Sequence, residues 1–137
     1  AGYYSPAVIP YACYWKNGQR VNLSTVRSKA HNMTVVTQGG TQGGTPVIYA
    51  AGFYVDDGID KPCYWRNGQR TSLYSSSWSE TSEALAIMVV NSGGIYVAGY
   101  CSDETINQMT ACYWINGERK LIPAGNGSFA NAIFVIP

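Results

Sequence analysis

Short apolar runs bounded by turn-forming residues follow one another along the chain. Residues 84–89 and 95–100 form two such runs, and Asn, Ser and Gly lie between them. Runs of this length between turn residues are typical of β-strands. An Asn-Gly pair also occurs three times between segments of high β-propensity. It favours a two-residue hairpin, because both residues tolerate the positive φ that the turn requires. No segment keeps a helical period, so the pattern predicts an all-β fold.

One segment of the sequence occurs three times. A Cys-Tyr-Trp motif begins at Cys13, Cys63 and Cys112, with spacings of 50 and 49 residues. An Asn-Gly pair follows each motif after one residue, and an Arg stands seven residues after each Cys. Each copy reads as four antiparallel strands, and four-stranded repeats of about 40 to 50 residues are typical of propeller blades. We therefore expect one repeat domain over residues 1–137, with copies at about 1–36, 46–90 and 94–137.

The order of the motifs resembles that of a known repeat family. Ala-x-Ala-Ile at residues 84–87 precedes Gly-x-Tyr-Val-Ala-Gly-Tyr at 94–100 and Ala-Cys-Tyr-Trp-x-Asn-Gly at 111–117. This order is similar in outline to a kelch-like blade, and more closely resembles the bacterial extracellular HAF-type repeat family. The resemblance covers nearly the whole chain. It implies propeller-like blades and supplies no catalytic residues.

The strands begin and end out of phase with complete blades. The count from residue 1 gives a partial blade of three strands (1–4, 13–16 and 19–23), two complete blades and one further strand. Three blades are fewer than the ~4 to 8 of closed propellers, and soluble proteins avoid unpaired apolar edges. We therefore predict that the last strand completes the first blade of a neighbouring copy, as in donor-strand complementation. The residues of this assembly strand are Ala130, Ala132, Ile133, Phe134, Val135 and Ile136.

Copies of the chain are thus the predicted partners, and the predicted role is non-catalytic self-assembly. A head-to-tail contact closes into a ring or continues as a filament, depending on the rotation between subunits. A ring of two chains is favoured over an open filament. A third alternative is that the chain is part of a longer propeller.

Composition and charge narrow the partners and the location. The chain has 11 Tyr, 4 Trp and 15 Gly, but only 12% charged residues and a net charge of +1. The sequence has no basic patch, so neither nucleic acid nor anionic lipid is an expected partner. No apolar stretch approaches the ~18 residues of a membrane span, so no membrane insertion is expected. Low charge with many Tyr, Ser, Thr and Asn residues favours an extracellular or cell-surface protein.

The residues that could carry catalysis or hold a cofactor are few. His31 is the only histidine, and it lies within a predicted strand without a nucleophile motif beside it. The glycines at 39–40 and 43–44 precede no helix, which excludes a phosphate loop. The sequence contains no Cys-x-x-Cys pair, the spacing that would favour a metal site. Acidic loops around Asp56, Asp57 and Asp60, and at Asp103 and Glu104, suggest calcium only weakly; solvated charge is the favoured interpretation. We expect no enzyme, no metal and no cofactor.

The cysteines suggest one disulfide. Cys101 ends one predicted strand and Cys112 begins the next, so a hairpin would place them opposite each other. A bridge there would stabilise the fold by about 3 kcal/mol in the chain-entropy model. Cys13 and Cys63 are then interpreted as buried free thiols.

A binding function is the alternative to assembly. In each copy a Trp faces an Arg across the hairpin, which suggests a lectin-like protein with one carbohydrate site per blade. Packing between blades competes with this interpretation and is favoured for the Trp residues. The candidate ligand-binding residues are Trp15, Trp65, Trp114, Arg20, Arg70 and Arg119.

Overall fold

Eleven strands make up the part of the chain that the structure describes. The computed structural model describes residues 1–6, 9–38, 44–73, 81–90, 92–103, 108–125 and 127–136, without the side chains of residues 38 and 103. The strands are β1 (Gly2–Tyr4), β2 (Tyr11–Lys16), β3 (Gln19–Asn22), β4 (Ser28–Gln38), β5 (Thr45–Asp56), β6 (Ile59–Arg66), β7 (Gln69–Ser72), β8 (Glu83–Val89), β9 (Ile95–Asp103), β10 (Gln108–Ile115) and β11 (Glu118–Leu121).

The strands form three antiparallel sheets in chain order. Sheet A has the order β1-β2-β3, sheet B has β4-β5-β6-β7, and sheet C has β8-β9-β10-β11. The predicted all-β fold is confirmed. The predicted order along the chain, one three-stranded unit followed by two four-stranded units, is confirmed as well. Sheet A has no described counterpart of β4 and β8, so no described strand pairs with the outer edge of β1. Residues 130–136, predicted as a strand, lie outside the described strands.

The hairpins close where Asn-Gly predicts them. Asn17, Asn67 and Asn116 have φ values of 50°, 48° and 51°, and the glycine after each is also at positive φ. This is the backbone of a type I′ turn, whose twist matches that of the two flanking strands. A fourth turn of the same kind, at Asp57 and Gly58, joins β5 to β6. Sequence reasoning considered Asp57 only as an acidic loop residue, although Asp-Gly is also a hairpin signal.

A glycine in the second strand of each complete sheet accommodates a bulge of the first strand. The register of β4 shifts after Ala30, opposite Gly52, and that of β8 shifts after Ala84, opposite Gly99. A Cβ atom on either glycine would overlap the backbone carbonyl of Lys29 or Glu83. The repeated Ala-Gly pair is therefore required by close backbone approach.

The core lies between the sheets. One buried cluster joins sheets A and B and includes Ala12, Leu23 and Trp65. A second joins sheets B and C and includes Leu73 and Trp114. Each sheet therefore packs face to face against the next one in the chain.

The predicted Cys101–Cys112 disulfide is wrong. Both residues are thiols, and they approach to 2.8 Å without a disulfide bond. The register places Cys101 opposite Thr110 and Cys112 opposite Gly99, so the cysteines are diagonal neighbours rather than a directly opposed pair. Burial raises the pKa of the Cys112 thiol, and the hydrogen bond with Cys101 raises it further. Cys13 and Cys63 are buried free thiols too, as predicted, and burial raises the pKa of both.

Candidate functional site: an assembly face and a junction cleft

The three repeated tryptophans occupy equivalent places but differ in exposure. Trp65 and Trp114 are 1% and 0% exposed, whereas Trp15 is 53% exposed. Trp65 shares a buried cluster with Leu23 of sheet A, and Trp114 shares one with Leu73 of sheet B. Trp15 lies on the face of sheet A that has no sheet against it. We call this face, with Tyr4, Trp15 and Arg20, the assembly face.

The three repeated arginines are held by neighbouring groups. The guanidinium carbon of Arg20 lies 3.5 Å from the ring centroid of Tyr4, and that of Arg70 lies 3.7 Å from the centroid of Tyr54. Both distances are typical of cation–π stacking. In the third copy Cys101 replaces the tyrosine, and the Arg119 guanidinium instead donates to the Ser102 carbonyl at 3.4 Å.

The predicted Trp and Arg pairs therefore offer little surface to a sugar. Trp65 and Arg70 line a depression of about 340 Å³, but the Trp65 ring is buried and Arg70 stacks on tyrosine. Trp114 is buried as well. Among the three repeated tryptophans, only Trp15 exposes a ring face, and Trp65 and Trp114 pack between sheets.

The C-terminal segment starts against sheet C in the way that β4 starts against sheet A. The Ala12 amide donates to Ser28 Oγ at 3.0 Å, and the Ala111 amide donates to Ser128 Oγ at 2.9 Å. Each serine hydroxyl also donates to a carbonyl two or three residues before it. In the second copy Pro62 occupies the place of Ala12 and has no N–H to donate. Ser128 is thus positioned as the start of another first strand.

Beyond this start, the segment carries exposed apolar side chains. Phe134 and Ile136 are 80% and 84% exposed. The Val135 amide reaches only the Met88 sulfur, at 3.3 Å, and a thioether is a weak acceptor. Ala130 and Ile133 are half-buried, while Ala132 is exposed. The Ala130 amide donates to the Gly99 carbonyl of β9 at 3.1 Å, whereas residues 132–136 are partly apolar and belong to no described strand.

A second surface feature lies where sheets A and B meet. A cleft of about 540 Å³ opens there, which we call the junction cleft. His31 of β4 donates from Nε2 to Glu83 Oε2 of β8 at 2.8 Å, and so links sheets B and C at one side of the cleft. Further lining residues include Tyr3, Arg27, Lys29 and Asp60.

The two carboxyl groups of the junction cleft are shifted in opposite directions. Burial raises the pKa of Asp60, and the nearby Glu83 carboxylate raises it further. Burial also acts to raise the pKa of Glu83, but hydrogen bonds from His31 and Tyr100 outweigh it and lower that pKa. Burial, and then the bond to Glu83, raise the pKa of Tyr100. The lowered pKa keeps Glu83 ionised at neutral pH.

One of the predicted acidic loop residues, Asp56, pairs with a cation of the chain. The Lys61 ammonium donates to the Asp56 carboxylate at 2.9 Å. Across the described ranges, no three His, Cys, Asp or Glu side chains group closely enough to hold a metal ion. Glu104 lies outside the described residues. Over the same part of the chain, no helix is long and apolar enough to span a membrane.

These features define, over the described residues, an all-β protein of three antiparallel sheets stacked in chain order, with an exposed tryptophan on the outer face of sheet A and a charged cleft. Comparison with protein-family models, with curated proteins and with solved structures finds no match to this chain.

Sequence reasoning did not find two elements of these surfaces. The serine at Ser28, Ser82 and Ser128 recurs two residues before an Ala in every copy, and that spacing could have revealed it. The junction cleft draws its residues from five strands (β1, β4, β5, β6 and β8) and from the loops beside them, in two copies of the repeat. His31 was noted only as a lone histidine, because its partner Glu83 is 52 residues away.

Proposed function

We propose that the chain is a structural subunit that joins copies of itself head to tail, the assembly face of one copy packing on sheet C of the next. The observation that carries this proposal is the exposure of Trp15, 53% against 1% and 0% for Trp65 and Trp114. Burying large aromatic surface is favourable by roughly 25 cal/mol per Å² of apolar area. A second copy supplies the missing neighbour.

The internal junctions specify the partner of Trp15. Trp65 packs with Leu23, and Trp114 packs with Leu73. Leu23 and Leu73 both donate their amides back to the preceding hairpin strand, and Ile122 does the same to Ala111 at 2.9 Å. Ile122 of the adjoining copy therefore has the position that packs against Trp15.

The free edge of β1 receives the C-terminal segment in the same contact. In sheet B, Ser28 pairs with Tyr54 and Ala30 with Gly52. The equivalent register sets Ser128 opposite Tyr4, and Ala130 opposite Gly2. Ala132 then lies opposite Ala1, and Ile133 to Ile136 extend beyond β1 and cover the apolar surface beside Trp15. Pairing of this kind satisfies backbone groups that an edge leaves open.

Stacked four-stranded sheets joined in this way are the blades of a β-propeller. Two copies would supply six blades, within the usual ~4 to 8, and we favour this closed ring over an open filament. The resemblance to HAF-type repeats supports the same architecture and an extracellular or cell-surface location.

Gly2 provides a sharp test of the proposal. In the complete sheets the equivalent Gly52 and Gly99 lie under a bulge carbonyl. In the single chain, a Cβ on Gly2 would meet only the Trp15 ring, at 3.2 Å, and that ring is free to shift. We expect Gly2→Ala to leave the fold intact. It should weaken association about ten- to hundredfold, or by roughly 1 to 3 kcal/mol, because the backbone of the neighbouring copy must shift away from the added Cβ. Multi-angle light scattering across a dilution series measures this.

Gly52→Ala is the matched control. Because Lys29 O already occupies the space of its Cβ, this variant should be destabilised as a folded chain, which circular dichroism detects. Assembly of Gly2→Ala at the wild-type concentration would contradict the proposed pairing. So would a wild-type chain that remains monomeric at every concentration.

A further inference from the structure

We propose that the junction cleft is a binding site for an acidic saccharide, whose carboxylate binds Arg27 and Lys29 while its ring lies against Tyr3. The inference goes beyond self-assembly, because the cleft is built within a single chain. Its volume of about 540 Å³ falls in the ~300 to 1,000 Å³ range of small-molecule sites.

The cationic side chains of Arg27 and Lys29 line the cleft without forming a described ion pair with the carboxyl group of Asp60. Arg27 and Lys29 are close enough to Asp60 to act on its carboxyl group, yet none of the described ion pairs joins them. Surface charges this close ordinarily gain by direct contact, at least modestly. A ligand between them would supply an acceptor to the two cations and a donor to Asp60. A carboxylate with neighbouring hydroxyl groups has both.

Tyr3 supplies the apolar wall. Its ring is 51% exposed, and the Lys29 ammonium lies 4.7 Å from its centroid. An aromatic face beside charged donors can hold the C–H face of a sugar ring by packing and the sugar's polar groups by hydrogen bonds. A flexible acid without a ring would leave this wall unused.

The cations beside Asp60 favour hydroxyl groups over an ammonium as its ligand. Arg27 and Lys29 are both near enough to act on the Asp60 carboxyl group, so a ligand ammonium placed there would be repelled by two like charges. Hydroxyl groups donate hydrogen bonds without that repulsion. The cleft therefore favours a uronic acid over a free amino acid.

Calorimetric titration with digalacturonic acid, neutral galactobiose and glutamate tests the assignment. We expect binding of the diuronate, at least tenfold weaker binding of the neutral sugar, and weaker binding of glutamate. Arg27→Gln and Tyr3→Ala should each weaken diuronate binding at least tenfold. The Arg27 carbonyl accepts from the Val55 amide at 2.8 Å, a backbone hydrogen bond that Arg27→Gln retains. Lys16→Gln is the charge-matched control away from the cleft.

Each outcome decides the question. Equal binding of the neutral sugar, tighter binding of glutamate, undiminished binding by Arg27→Gln, or no binding at millimolar diuronate would each overturn the proposal. Titration of Gly2→Ala separates the two proposals, since a dissociated chain retains its cleft and should bind the diuronate as the wild type does.

Discussion

At the scale of single residues, identical local sequence gives different environments. Cys-Tyr-Trp predicts a hairpin strand in all three copies, and it forms one in each. Whether the Trp is buried depends on the sheet that lies against it. Trp65 and Trp114 have such a sheet, and Trp15 has none within the described chain. The motif could therefore be predicted as core, but its exposed copy could not.

Removal of these rings should have unequal effects on stability. We expect Trp65→Ala to lower the free energy of unfolding by about 3 to 5 kcal/mol, because it empties a packed junction. Trp15→Ala should cost the dissociated chain about 1 kcal/mol or less, as for an exposed position. Urea unfolding in the Gly2→Ala background measures both, with Trp114→Ala as a second buried control. Equal costs for Trp15 and Trp65 would mean that the assembly face is already covered in the single chain.

The cysteines show a limit of sequence reasoning at this scale. Adjacent strands for Cys101 and Cys112 could be predicted from the repeat. The register could not, because the turn between these strands has no short hairpin motif to fix it. An offset of two positions turned an expected cross-strand pair into diagonal thiols.

At the scale of strands and sheets, short sequence motifs were sufficient to predict the hairpins but not the contacts between sheets. The Asn-Gly turns set three hairpins, because two residues determine their backbone. The contacts that join one sheet to the next depend instead on distant partners. Ser28 meets Ala12 across 16 residues, and His31 meets Glu83 across 52. No short motif encodes such pairs, so half of the candidate site was beyond prediction.

The Glu83 link between β4 and β8 should make stability fall in acid. Its pKa is lowered from the ordinary 4.5, so its contribution is complete above that pH and is lost as the pH falls through the lower folded-state pKa. The raised pKa of Asp60 acts in the opposite direction. We expect Glu83→Gln to flatten the loss of thermal stability below pH 4.5 in an Asp60→Asn background. An unchanged acid profile between the two variants would show that the link contributes nothing to stability.

At the scale of the whole molecule, the phase of the repeat determines how many strands each sheet contains. The sequence predicted a three-stranded unit followed by two four-stranded units, and the sheets confirm it. The prediction succeeded because comparison of the repeated segments with one another locates their boundaries. Whether such sheets close around an axis depends on the angles between them, which no residue motif specifies.

The central proposal is that a second copy covers the assembly face, and hydroxyl-radical footprinting of Trp15 over a range of protein concentrations tests it most directly. Trp65 and Trp114, buried in the single chain, serve as internal references. We expect Trp15 to react readily in dilute solution and to become as protected as the references once light scattering detects association. Trp15 that remains fully reactive in the associated protein would contradict the account.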